Sequence, residues 1–253
     1  MTGPRGVTLV TGASAGLGVH FARQSRRRGD ELVLVARRRD RLEALAAELG
    51  SAHVIAADLA EPGAPERLLA EVVGLGFEVD TLINNAGFGD AGPFVEAPPE
   101  RLLEMIDLNV RALTQLTRLV LPGMVARRRG AVLNVASTAA FQAGPNMAVY
   151  YAGKAYVLSF TEAVHQEMKG KGVKVTALCP GPTATEFFDV AGSPDGRLAK
   201  MATDPVAVVR AGLDGLAKNK AIVVPGLMNK IGSQSSRFLP RAAMRRIVAA
   251  IKA

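Results

Sequence analysis

The chain has 253 residues, 49% of them apolar, which suffices for one sizeable α/β domain with a large core and does not demand two. Trp is absent and aromatics are only 5%, which argues against stacked recognition of single strands; the net charge of +8 lies in short scattered arginine clusters, so no nucleic-acid partner is expected. The one cysteine, Cys179, excludes an internal disulfide and suits a cytoplasmic setting, no signal peptide is expected ahead of a strand that starts by Val7, and no apolar run reaches the ~18 residues of a membrane span.

Strand-like and helix-like segments alternate along the whole chain. A strand over 7–11 runs into Gly12, Gly16 and Gly18, and a helix follows to about Arg28. A second strand (31–36) meets Arg37-Arg38-Arg39, and a helix from Asp40, read as its N-cap, closes at Gly50. The third strand (52–57) ends at Asp58-Leu59, and the fourth (80–84) runs into Asn84-Asn85-Ala86-Gly87. A long helix over 99–127 carries Asn109. The fifth strand (130–136) ends at Ser137, a helix over 148–170 holds Tyr150 and Lys154, and the sixth strand (173–178) leads to Pro180-Gly181. A seventh strand spans 220–224. This alternation predicts an α/β fold, a parallel sheet of about seven strands with helices on both faces, and ligands outside the carboxyl ends of the strands. No repeat or linker interrupts it, so residues 1–253 are expected to form one domain.

The glycine spacing G-x-x-x-G-x-G lets the backbone turn tightly against a pyrophosphate at a helix N-terminus. Tyr150 and Lys154 stand at i and i+4, on one helical face. A phenol ordinarily titrates near pH ~10, and an ammonium beside it is expected to pull that value down. Ser137 would then hydrogen-bond a carbonyl or alcohol oxygen. At the end of the second strand, where NAD enzymes hold an acid, Ala36 is followed by three arginines, so a 2′-phosphate is favoured and NADP(H) is expected. Arg37 is the expected phosphate ligand with Ser14 as helper, while Arg38 and Arg39 are expected to face water. His20, His53 and His165 have no metal-ligand spacing, and no metal is expected.

Thr11 to Gly18, Asn84 to Gly87, Asn109, Ser137, Tyr150 to Lys154 and Pro180-Gly181, in this order, resemble the short-chain dehydrogenase/reductase family from Val7 to about Gly226. The resemblance implies a Rossmann-type doubly wound fold and an NADP(H)-dependent carbonyl reductase or alcohol dehydrogenase. In it the catalytic residues are Asn109, Ser137, Tyr150 and Lys154: hydride reaches the carbonyl carbon, Tyr150 protonates the oxygen that Ser137 holds, Lys154 lowers the tyrosine pKa and bonds the nicotinamide ribose, and Asn109 holds a relay water. Gly12, Ser14, Ala15, Gly16, Leu17 and Gly18 would take the pyrophosphate. Asp58 and Leu59 fall where the adenine is held; Asn85, Ala86 and Gly87 line the adenosine ribose; Pro180, Gly181, Thr183 and Thr185 lie beside the nicotinamide and phosphates.

A lid is expected at about 183–205. Phe88, Phe94, Phe141, Gln142, Phe187 and Phe188 are expected to form a mostly apolar pocket, suited to a hydrophobic ketone, 3-oxoacyl or steroid-like substrate. The tail, about 227–253, is basic and amphipathic and departs from the family's commoner ending; packing on its own domain, covering the site, joining a dimer, and lying on an anionic membrane surface are all open to it. The long helices over 99–127 and 148–170 imply, by the resemblance, a homodimer or homotetramer. A non-catalytic NADP-binding sensor of the same fold is the competing reading.

Overall fold

The computed structural model describes residues 4–50, 52–187, 191–192, 202–235 and 238–252. Strands β1 (Arg5–Thr11), β2 (Leu32–Ala36), β3 (Ala52–Ala56), β4 (Phe77–Asn84), β5 (Gly130–Val135), β6 (Val173–Leu178) and β7 (Ile222–Val223) form one sheet in the order β3-β2-β1-β4-β5-β6-β7. Every pairing is parallel. This is the α/β doubly wound Rossmann-type architecture expected from the alternating elements. The winding reverses between β1 and β4, and the crevice that opens there at the carboxyl ends of the strands is where such sheets bind ligands.

Helices α1 (Gly16–Arg27), α2 (Arg39–Leu49), α3 (Ala64–Gly74), α4 (Pro99–Ile106), α5 (Leu113–Ala126), α6 (Ala148–Glu167) and α7 (Pro205–Ala217) pack on the sheet, followed by α8 (Leu227–Ser235) and α9 (Arg241–Lys252). The reason is visible in β2: Leu32, Val33, Leu34 and Val35 are all fully buried, an apolar run rather than an alternating one, so both sheet faces must be covered. Leu32 and Leu34 join Val10, Phe21, Val208 and Leu213 on one face. Val33 and Val35 join Leu9, Leu68, Leu116 and Val164 on the other.

Local chemistry sets the ends. Gly50 closes α2 with φ +73° and an N–H bonded to the Ala46 carbonyl. Its N-cap is Arg38, two residues before the expected Asp40, which instead lies in the first turn, where a carboxylate favours the N-terminal dipole. The 99–127 segment is not one regular helix. Between α4 and α5 a π-helical turn spans Asp107–Ala112 and carries Asn109, a distortion often associated with functional sites. In the tail, α9 buries Met244 and Val248, one turn apart, and exposes Arg241, Arg245 and Arg246. No helix among the described residues is long and apolar enough to cross a membrane.

Candidate active site

A cavity of about 740 Å³ lies along the carboxyl ends of the strands. Its floor begins at the β1–α1 turn. Thr11 Oγ1 accepts the N–H groups of Asn85 and Ala86, each at 3.0 Å, and Asn85 Nδ2 donates to the Thr11 carbonyl at 2.9 Å. These bonds draw the turn against the end of β4. A side chain on Gly12 would meet Asn85 Nδ2 at 2.8 Å and the Ala86 backbone at 2.9 Å, and φ is +67° there, so both space and conformation require glycine. The α1 N-terminus has no side-chain cap and no acid in its first turn, leaving N–H groups and a partial positive charge for an anion. Ser14, Ala15, Gly16 and Leu17 line the cavity beside Gly12. Gly18 is not among the lining residues; it lets α1 approach the Gly12 carbonyl, where a Cβ would collide. This cradle fits a dinucleotide pyrophosphate.

The arginines divide differently from expectation. Arg37 lines the cavity but is paired with Glu104 at 3.1 Å and Asp58 at 3.6 Å. Arg38, expected in water, also lines the cavity: its Nε donates to Ser14 Oγ at 3.3 Å, and its Nη1 lies 3.4 Å from Glu186. The physical reason is its place as the α2 N-cap, an extended residue turned back over the glycine turn. Arg39 pairs with Glu43 on the helix surface. Asp58, Leu59, Asn85, Ala86 and Gly87 line the same end of the cavity.

At the other end β5 delivers Ser137 and α6 delivers Tyr150 and Lys154, all lining the cavity. The Ser137 hydroxyl accepts the Ala139 N–H at 3.1 Å and hydrogen-bonds Tyr150. Lys154 Nζ donates to the Val135 carbonyl at 2.8 Å and stands 5.7 Å from the centre of the Tyr150 ring. The expectation that Lys154 depresses the phenol is not met here. Burial pushes Tyr150 up to about 12 against the Ser137 hydrogen bond, while burial pulls Lys154 itself down to about 8. Desolvation outweighs attraction because the ammonium is directed to a carbonyl. Asn109 does not line the cavity. Its side chain brackets the Phe88 backbone, donating to the carbonyl at 2.8 Å and accepting the N–H at 3.1 Å. A Cβ on Gly87 would touch Asn109 Oδ1 at 2.7 Å and lie 3.7 Å from Lys154 Nζ, so Gly87 separates those two polar groups.

The substrate wall needs correction. Phe88, Gln142 and Phe187 line the cavity; Phe94 and Phe141 do not. Phe94 is 62% exposed in the loop before α4. Phe141 ends a short 3-10 turn (Thr138–Phe141) that presents Gln142 to the cavity and packs Phe141 with Ala136, Val157 and Leu158. Phe188 lies outside the described residues, as does most of the 183–205 segment. In their place stand Met147, Tyr151 and, from the tail, Val248. Tyr151 adjoins Tyr150 on α6, and Val248 belongs to the amphipathic tail whose role was open. Pro180, Gly181, Thr183 and Thr185 complete the rim. No cluster of His, Cys, Asp and Glu among the described residues is suited to a metal ion.

A parallel sheet with a glycine-rich turn at its switch point defines a dinucleotide-binding type of protein. The chain belongs to the short chain dehydrogenase family, whose model matches residues 6–194. It is 40% identical over 190 residues to the NADP-dependent 3-hydroxy acid dehydrogenase YdfG of Salmonella typhi, covering 73% of this chain and 75% of that one. It is 33% identical over 192 residues to the very-long-chain 3-oxoacyl-CoA reductase of Anas platyrhynchos, covering 72% of this chain but only 61% of the longer relative. A short-chain dehydrogenase from Sphingobium yanoikuyae, solved in complex with NADPH, superposes with a TM-score of 0.82 at 31% identity, covering 92% of this chain and 93% of that one.

Proposed function

We propose that this chain is an NADP(H)-dependent oxidoreductase that interconverts a carbonyl and a secondary alcohol on a hydrophobic substrate, of 3-oxoacyl or steroid-like type. The observation that carries this reading is the convergence of Ser137, Tyr150 and Lys154 at one end of a cavity whose other end combines an anion-binding helix terminus with Arg37, Arg38 and Ser14. Relatives described as NADP-dependent support the cofactor, and the 3-oxoacyl-CoA reductase supports the substrate class.

NADP(H) supplies or accepts the hydride when bound. Tyr150, neutral with its pKa near 12, is the acid that delivers a proton to the carbonyl oxygen. Ser137 donates to that same oxygen and stabilises the charge developing on it. Lys154, buried between Gly87 and the β5 end, holds the ribose side of the site and returns a proton to the tyrosine. Asn109 keeps the Phe88 backbone against the site and the π-helical turn in register. Phe88, Met147, Tyr151, Phe187 and Val248 exclude water around the reacting carbon.

The same proposal takes residues 1–253 as one catalytic domain, 183–205 as its lid and 227–253 as a tail that closes the substrate end. Exposed Leu103, Ile106 and Tyr156 on α4 and α6 support a homodimer or homotetramer, and the single cysteine supports a cytoplasmic location. The test of function is NADPH consumption against ketones and 3-oxoacyl thioesters, wild type beside Tyr150→Phe. Turnover that disappears with one hydroxyl supports the reading; equal turnover by both proteins overturns it.

A further inference from the structure

Glu186 stands between the two ends of the cavity. Its carboxylate accepts from Arg41 Nη1 at 2.8 Å and from Arg38 Nη1 and Nη2 at 3.4 Å. Arg38 in turn donates to Ser14 Oγ. The next residue, Phe187, lays its ring 5.3 Å from that of Tyr150, and its N–H is held by Thr185 Oγ1 at 3.3 Å. One short segment therefore carries a carboxylate on two guanidinium groups at one end and an aromatic ring on the reacting tyrosine at the other.

The donors that Glu186 occupies are those a 2′-phosphate would need. Two anions cannot share them without repulsion. Arg38, Arg41 and Glu186 are 43–46% exposed, so these ion pairs are weak and exchangeable. Both anions can pair bidentately with a guanidinium, but a phosphate monoester carries about −1.5 to −2 charge and a third acceptor oxygen, which favours it over one carboxylate. We propose that Glu186 is an internal competitor for the 2′-phosphate subsite, and that its displacement releases the Glu186–Phe187 segment from the substrate wall. The inference rests on the NADP(H) reading above. It makes the adenosine end of the cofactor a control on the wall beside Tyr150, and by linkage a ligand that needs the segment released tightens 2′-phosphate binding by the same factor.

The experiment titrates wild type and Glu186→Gln with NADPH and NADH by nucleotide fluorescence, and with 2′,5′-ADP by calorimetry. Loss of the competing charge is expected to tighten NADPH and 2′,5′-ADP by about three- to tenfold and to leave NADH unchanged. An unchanged NADPH-to-NADH affinity ratio in the variant, with a clear NADPH preference in wild type, overturns the inference alone. A wild type with no NADPH preference overturns the NADP(H) reading and the inference with it. Hydrogen exchange tests the release: the Phe187 amide is expected to exchange faster in wild type with 2′,5′-ADP bound, and an unaltered rate overturns the coupling to the substrate wall.

Discussion

Lys154 directs its Nζ to the Val135 carbonyl at 2.8 Å, and Tyr150, one helical turn before it, keeps its proton. The two side chains share a face of α6 without the phenol becoming acidic, because both are buried and burial disfavours charge on each.

That burial has a measurable consequence for stability. Lys154 falls from its ordinary 10.5 to about 8 in the folded chain, so between those values the unfolded chain binds the extra proton and folding stability rises with pH. Across pH 7.5 to 10.5, wild type is expected to gain about 3 kcal/mol relative to Lys154→Met. Paired denaturant titrations at the two pH values measure this difference, in which groups common to both proteins cancel. A constant difference would mean that Lys154 titrates normally.

Tyr150→Phe removes the proposed acid and little else, since the ring remains packed between Tyr151 and Phe187. Turnover is expected to fall by about 10²–10⁴-fold while NADPH affinity stays within about twofold of wild type. Steady-state kinetics alongside nucleotide titration separate the two effects.

Arg38→Ala is expected to reduce NADPH affinity by about ten- to hundredfold and to spare NADH, the loss of a charge-assisted bond to phosphate. Arg37→Ala should cost less, because Arg37 already serves Glu104 and Asp58. The reverse ranking in paired titrations would return the phosphate to Arg37.

Beneath the site, Asn84 Nδ2 donates to Thr117 Oγ1 at 3.0 Å and to Asn134 Oδ1 at 2.9 Å, and Asn134 Nδ2 donates to Thr161 Oγ1 at 3.0 Å. These buried bonds tie β4 and β5 to α5 and α6. Asn134→Leu should destabilise the fold by about 1–3 kcal/mol, since it removes one of the two acceptors of Asn84 Nδ2 and the side-chain donor to Thr161 Oγ1, leaving Asn84 only Thr117 and Thr161 only its bond to the Val157 carbonyl. Thermal unfolding compared with an Asn84/Asn134 double variant measures the coupling.

Val248 brings the tail into the substrate wall, 5% exposed among Phe88, Met105, Tyr150 and Tyr151. Val248→Ala is expected to raise KM for apolar substrates about threefold or more, through lost apolar contact, with NADPH affinity unchanged. A KM unmoved across a series of chain lengths would place the substrate elsewhere.

The fold was legible because its signals are local. Apolar runs such as Leu32–Val35, glycines at Gly12 and Gly50, and strand ends rich in Asn and Asp each state a backbone requirement that no distant residue alters. The i, i+4 pairing of Tyr150 and Lys154 and the glycine turn at the end of the first strand were likewise readable from spacing alone, whereas the strand order put that turn at the switch point. Tertiary structure decided what depends on packing and desolvation. It turned Arg38 onto Ser14, sent Phe141 into the core and Phe94 to the surface, brought Val248 from the far end of the chain, and reversed the direction of the Tyr150 shift. Spacing along a chain tells which groups can meet; only the folded surroundings set how much water each keeps, and therefore which charge it can bear.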